Sequence, residues 1–113
     1  MLGAKNFGVD EARLAALWDF RTSPLFSPKE RLALEFALAA ASQPNAVTDE
    51  LFAQLKQHWS EEEIVEILGV VAMFGFLNRW NDSMATPLEP LAKDIAEKAL
   101  GSRGWTAGKH SRP

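Results

Sequence analysis

Residues 59–82 read Trp59-Ser60-Glu61-Glu62-Glu63-Ile64-Val65-Glu66-Ile67-Leu68-Gly69-Val70-Val71-Ala72-Met73-Phe74-Gly75-Phe76-Leu77-Asn78-Arg79-Trp80-Asn81-Asp82. Ser60 followed three residues later by Glu63 is a capping box, and Trp59 with Ile64 has the spacing of a hydrophobic staple, so a helix begins here. Three carboxylates in its first turn complement the positive end of the helix dipole. From Ile64 to Leu77 the only charge is Glu66, and apolar residues fall on nearly every side of the helix. The pattern predicts a buried central rod, either of the fold or of an oligomer. At the far end Asn78, Arg79, Trp80, Asn81 and Asp82 form a polar and aromatic cluster, the first place to look for a site.

Working outward, four more helices are predicted from their start signals. Asp10 caps the first, with Val9 and Leu14 as staple and Leu14, Leu17 and Trp18 on one apolar face. The segment from Arg21 to Leu25, containing Pro24, breaks it. Ser27-Pro28-Lys29-Glu30 opens the second with a capping box and proline at the first helical position. Thr48 caps the third, stapled by Val47 and Phe52, with Leu51, Phe52, Leu55 and Trp59 on one side. Ser60 starts the fourth at once, so the two helices meet at a sharp corner. The fifth runs from about Pro90 to Leu100, with Gly101 as its stop signal. No segment alternates with period two between turn signals, so no strand is expected. The fold class is all-α: a single-domain bundle of about five helices over residues 1–100, followed by a basic, Gly-rich, irregular tail over 101–113.

Composition narrows the function classes. A chain of 113 residues is one domain, with 47% apolar and 24% charged residues, which is ordinary globular usage. The net charge of −3 invites neither nucleic acid nor an anionic membrane surface. The basic tail carries Arg103, Lys109, Arg112 and His110 with no acid, and such a tail on an acidic body is expected to pack on its own protein or a neighbouring subunit. The absence of cysteine excludes disulfides, thiol redox chemistry and thiolate metal sites in this chain. The start, Met1-Leu2-Gly3-Ala4-Lys5-Asn6-Phe7, lacks the apolar stretch of a signal peptide. The apolar run 64–77 spans about 21 Å as a helix, short of the roughly 30 Å hydrocarbon core. A soluble, cytoplasmic protein is expected.

The candidate chemistry is sparse. Glu35 is the only charge between Leu32 and Ala41. Burial would raise its pKa and make it a general acid or base, whereas a place at the margin of the face would leave it solvated or paired with Arg31 one turn earlier. Glu66 carries the same ambiguity. Arg79 and Asp82 are three residues apart, as are Asn78 and Asn81. That spacing suits a self-paired polar patch, or a guanidinium offered to a carboxylate ligand. His58 stands beside Trp59 at the corner, and neither it nor His110 has a second ligand at metal-binding spacing. No catalytic Ser-His-Asp order, glycine-rich phosphate loop or zinc motif is present, so no cofactor or metal is expected. Helices three and four resemble a helix-turn-helix only in outline. The recognition position would hold Glu61, Glu62 and Glu63, which phosphates repel.

Two helices carry small residues for close contact: Ala33, Ala37, Ala39, Ala40 and Ala41 on the second, and Gly69, Ala72 and Gly75 on the fourth. A helical glycine costs about 1 kcal/mol relative to alanine, so something is expected to approach the backbone there. Tight packing of the second helix on the fourth is the simplest reading; a small-molecule pocket or a subunit seam are the others.

The succession of Phe26-Ser27-Pro28-Lys29-Glu30-Arg31, Val47-Thr48-Asp49-Glu50-Leu51-Phe52, Trp59-Ser60-Glu61-Glu62-Glu63-Ile64-Val65-Glu66 and Phe76-Leu77-Asn78-Arg79-Trp80-Asn81-Asp82 resembles the carboxymuconolactone decarboxylase family, in its alkylhydroperoxidase D-like, peroxidase-related branch. The similarity covers about residues 7–85. Gly104-Trp105-Thr106-Ala107-Gly108-Lys109-His110 also resembles tails in some members. The resemblance implies an all-helical fold assembled as dimers, trimers or hexamers, and a redox or acid–base site. In the redox members that site is a Cys-x-x-Cys followed by a His on a helix upstream of the matched region. This chain lacks that motif, with Gly3 to Phe7 expected as the last turn of that helix, so no redox residue carries over. Three readings follow. The chain is a redox-inactive domain that forms homo-oligomers through helices 28–42 and 60–82. Alternatively it is a cysteine-independent enzyme or binder of a small organic acid, with Arg79, Asn78, Trp80 and Asp82 holding the ligand and Glu35 or His58 moving a proton. Or it completes a partner that supplies the missing helix.

Overall fold

A computed structural model describes residues 10–111, and the expected Val9 staple, the Gly3–Phe7 turn and Arg112 lie outside them. Among the described residues the chain is all-helical, without strands. The elements are α1 (Glu11–Ala16, continued by a 3-10 turn Leu17–Asp19), α2 (Pro28–Ala41), α3 (Asp49–His58), α4 (Glu61–Met84) and α5 (Pro90–Leu100). Residues 101–111, expected to be irregular, carry two short 3-10 turns, Gly101–Arg103 and Gly108–Ser111. The chain divides into two compact units, residues 16–76 and the segments on either side of them, and the division falls inside α4.

The helices start where the caps predict. Asp10 accepts from the Ala12 amide at 2.8 Å. At Ser27 both halves of the capping box form, each at 3.1 Å, with Pro28 following. The Thr48 hydroxyl accepts from the Leu51 amide at 3.1 Å. The Ser60 amide donates to Glu63 at 3.0 Å while the Glu63 amide donates to the Ser60 hydroxyl at 3.1 Å. Each closes amides that the first helical turn leaves without partners. The end of α4 is less usual. Ala85 takes a positive φ of 51°, and Thr86 donates to the Asn81 carbonyl at 3.0 Å. This is the helix-ending turn that glycine normally provides, so no glycine marks it in the sequence.

In the unit of residues 16–76 the core is Phe36 of α2, Leu55 of α3 and Ile64 of α4, with Leu32, Val47, Phe52, Trp59 and Ile67 packed round it. Leu55 is fully buried, and the rings of Phe36 and Phe52 meet edge to face at 6.3 Å. Trp59 fixes the corner between α3 and α4. Its indole N–H donates to the Lys29 carbonyl at 3.0 Å, and the Lys29 ammonium sits 4.2 Å from the ring centre. The apolar periodicity of α3 and the staple residues thus end up in one cluster, as their spacing implied.

α4 departs from expectation. Ile64 is its one buried residue, and Ile67, Val71 and Gly75 are half-buried along the same stripe. The other sides are open: Val65 is 69% exposed, Val70 54%, Met73 54% and Phe74 53%. Within one chain the helix is not a buried rod. The predicted tight packing of α2 against its small residues is likewise not made at Gly69, where an added Cβ would meet no atom within 4 Å. The physical reason is geometric. A helix apolar on all sides needs neighbours on all sides, and the described residues bury it most along one stripe.

Leu55→Ala is expected to destabilise the protein by about 3 kcal/mol through the cavity it leaves, and Ser27→Ala by about 1 kcal/mol through the lost cap. Urea unfolding of the two variants against wild type measures both.

Candidate functional site

The candidate residues fall in both units: Glu35 and His58 within residues 16–76, and Asn78, Arg79, Trp80 and Asp82 in the last turns of α4. Glu35 is neither buried alone nor paired with Arg31. It lies half-exposed on α2 and is gripped by Arg21, from the proline-containing break that precedes the helix. The Arg21 Nε–H donates to one carboxylate oxygen, and an Arg21 NH2 group donates to the other at 2.9 Å. This two-point fork is the geometry in which a guanidinium holds a carboxylate best. It keeps the Glu35 carboxyl below the usual glutamate range, with the Arg21 hydrogen bond as the leading cause and partial burial opposing it. The raised carboxyl that a proton-carrying role requires is therefore not what the structure gives. Arg31 instead donates to the Ser23 carbonyl at 2.5 Å. The two arginines together pin the 21–25 break onto α2, one by its side-chain pair and one by its backbone.

His58 is the last residue of α3 and is exposed. A basic group suits the negative end of a helix, whatever else it does. Asn78, Arg79, Trp80 and Asp82 are exposed as well.

Asp82 does not pair with Arg79 as their spacing suggested; it turns to the basic tail. His110 Nε2 lies 3.2 Å from the Asp82 carboxylate and the Lys109 ammonium 3.4 Å from it. His110 Nδ1 lies 2.8 Å from the Thr86 carbonyl, and the Leu88 amide donates to the His110 carbonyl at 2.9 Å. A carbonyl and a carboxylate only accept, so each ring nitrogen faces an acceptor in this arrangement. The Asp82 carboxyl is held below the usual aspartate range, chiefly by the His110 hydrogen bond and then by the Lys109 charge. His110 thus ties the tail across the end of α4. Sequence reasoning missed both Arg21 and His110 as partners. Each lies far along the chain from the acid it meets, 14 and 28 residues away, and no helical period links them. The only signal was the excess of base in the tail, which did end on its own protein.

Among the described residues no group of three or more His, Asp or Glu side chains could hold a metal, and no helix is long and apolar enough to cross a membrane.

No family model matches the chain. Among solved structures it is similar to a Cys-to-Ala variant of the debrominase Bmp8 in complex with 2,3,4-tribromopyrrole. The TM-score is 0.78 at 33% identity, over 85% of this chain and 51% of that one. The fold is carboxymuconolactone decarboxylase/alkylhydroperoxidase D-like. Among curated proteins the chain is 38% identical over 86 residues to the uncharacterized protein YnjA of Escherichia coli (strain K12), covering 76% of this chain and 47% of that protein. It is 29% identical over 79 residues to the uncharacterized protein YdfG of Bacillus subtilis (strain 168), covering 69% and 52%. The chain spans about half the length of the curated relatives it matches.

Two pH and mutational tests follow. The pKa of Glu35 is lowered on folding, so its pairing contributes stability that is whole above the unfolded value of about 4.3 and is lost as pH falls through the lower folded value. Glu35→Gln is expected to be less stable than wild type near neutrality, with the gap closing in acid; denaturation midpoints from pH 7 to pH 2 read this. Asp82→Asn is expected to loosen the tail, seen as faster hydrogen exchange at the Leu88 amide, whose acceptor is on His110.

Proposed function

We propose that this chain is an oligomer-forming helical domain of the carboxymuconolactone decarboxylase family, in its alkylhydroperoxidase D-like branch, and that it has no thiol redox activity of its own. The observation that carries the reading is the exposed apolar surface of α4. A helix with Val65, Val70, Met73 and Phe74 more than half exposed has lost much of the burial that normally stabilises an apolar side chain, about 1.5–3 kcal/mol each. Association restores that burial, and contiguous apolar surface of this kind marks an interface. The similarity to Bmp8 and the matching order of motifs support the family.

The lack of cysteine supports the redox-inactive part. The solved Bmp8 complex holds a brominated pyrrole in a protein from which a cysteine had been replaced; this chain has no cysteine to replace. The alternative of an acid–base enzyme acting on a small organic acid gains no support at Glu35, whose carboxylate is held ionised by Arg21.

Light scattering of the purified protein is expected to give a mass that is a multiple of 12.5 kDa across the accessible concentrations. Hydroperoxide consumption with a dithiol reductant should not exceed the protein-free rate. A monomer at all concentrations overturns the oligomeric reading, and turnover of hydroperoxide overturns the redox-inactive one.

A further inference from the structure

We propose that the C-terminal segment 104–111 is a pH-sensitive strap, fastened over the end of α4 while His110 carries a proton and let go when it loses it. The device is independent of the oligomeric reading, and its residues all belong to one of the two compact units. The segment first folds back on itself. The Trp105 amide donates to the Leu100 carbonyl at 3.3 Å and the His110 amide to the Ala107 carbonyl at 2.9 Å, and Ala107 is buried. Among the described residues, its polar contacts with α4 and with the turn that follows run through Lys109 and His110. The His110 carbonyl accepts from the Leu88 amide at 2.9 Å. The His110 ring lies between the Thr86 carbonyl, 2.8 Å from Nδ1, and the Asp82 carboxylate, 3.2 Å from Nε2.

The ring is placed where its protonation state decides the fit. A neutral imidazole has one N–H and one lone pair, whereas the protonated ring has two N–H groups. Both oxygens can only accept, so the protonated ring satisfies both. In the neutral ring one nitrogen turns its lone pair on an oxygen, and one bond of the strap becomes a repulsion. The charges around the ring come from three elements. Asp82 on α4 favours the proton, and Lys109 of the strap, whose ammonium lies 3.4 Å from the same carboxylate oxygen, opposes it. Glu89 and Lys93, of opposite sign, follow at the start of α5. The Asp82 carboxyl is held below the usual aspartate range, chiefly by the His110 hydrogen bond, so it stays ionised where histidines titrate. Asp82 is largely exposed, and its ion pairs alone are screened by water. The Thr86 carbonyl, a fixed backbone group, makes the fit depend on the proton. The hold is therefore whole on the acid side and is lost as pH rises through about 5 to 8, where histidine gives up its charge. Release frees the Leu88 amide and the Asp82 carboxylate and uncovers the end of α4.

Hydrogen exchange at the Leu88 amide reads the strap directly, because its acceptor is the His110 carbonyl. Expressed as protection, with the intrinsic pH dependence of exchange divided out, it is expected to fall about tenfold between about pH 5.5 and pH 8. The Trp59 amide, bonded to the Leu55 carbonyl at 2.9 Å in the other unit, is the reference and should keep its protection throughout. His110→Gln carries no titrating proton. It is expected to lose the pH dependence and to be as unprotected in acid as wild type is in base, with Trp59 showing that the variant stays folded. Asp82→Asn offers both a donor and an acceptor and so meets either form of the ring; its profile should be flat too, at reduced protection. A merely structural histidine predicts a wild-type profile flat in pH, and that result overturns the proposal. So does a His110→Gln protein that keeps the wild-type slope, which places the titrating group elsewhere. Parallel loss of protection at Trp59 means that the whole chain opens, and overturns the strap as well.

Discussion

The structure depends on a conflict between one helix and the chain that carries it. α4 is apolar on nearly every side, yet among the described residues the core of residues 16–76 includes only Ile64 and Ile67 of this helix. A half-exposed valine or phenylalanine forgoes roughly 1 kcal/mol of transfer free energy, and several such residues together rival a large part of a small domain's net stability. No polar substitution relieves this along the middle of the helix, where Glu66 is the only charge. The exposed apolar sides of α4 are the feature on which the proposed association rests.

The remaining contacts hold α4 at its two ends and leave its middle open. At the start, the Ser60 and Glu63 cap and the Trp59 indole bonded to the Lys29 carbonyl fix the angle at which α3 turns into α4. At the other end, the Ala85 turn and the Asp82, His110 and Lys109 cluster fasten the basic tail over the last turn. Both anchors are polar and local. Neither covers the exposed apolar flanks of α4.

The fold was legible in the sequence because helix starts are local. Ser27, Thr48 and Ser60 each bond to an amide or side chain within three residues, and that geometry is set by the backbone alone. The core was legible for a related reason: Leu55, Phe52 and Trp59 share one face of a short helix, and the staple residues point the same way. What the described chain does not show is burial of α4 as a rod within one fold. Periodicity says which residues avoid water, and it does not say whether one chain has enough surface to cover them. The end of α4 was missed because Ala85 does the work of a glycine, by strain that composition does not reveal.

The candidate site was legible as a set of residues and illegible as a set of partners. Glu35 stood out because a carboxylate on an apolar helix must be neutralised or paired, which is a sound constraint, but the constraint does not name the pair. Arg31 was the helical neighbour; Arg21, from a loop with no period, has the geometry. The same holds at Asp82, where helical spacing offered Arg79 and the tail supplied His110 and Lys109. In both cases the tertiary partner displaced the local one, and the displacement has a structural effect. An arginine bonded to an acid on its own helix would neutralise a charge and position nothing else. Arg21 and His110 neutralise the same charges while fastening a loop and a tail.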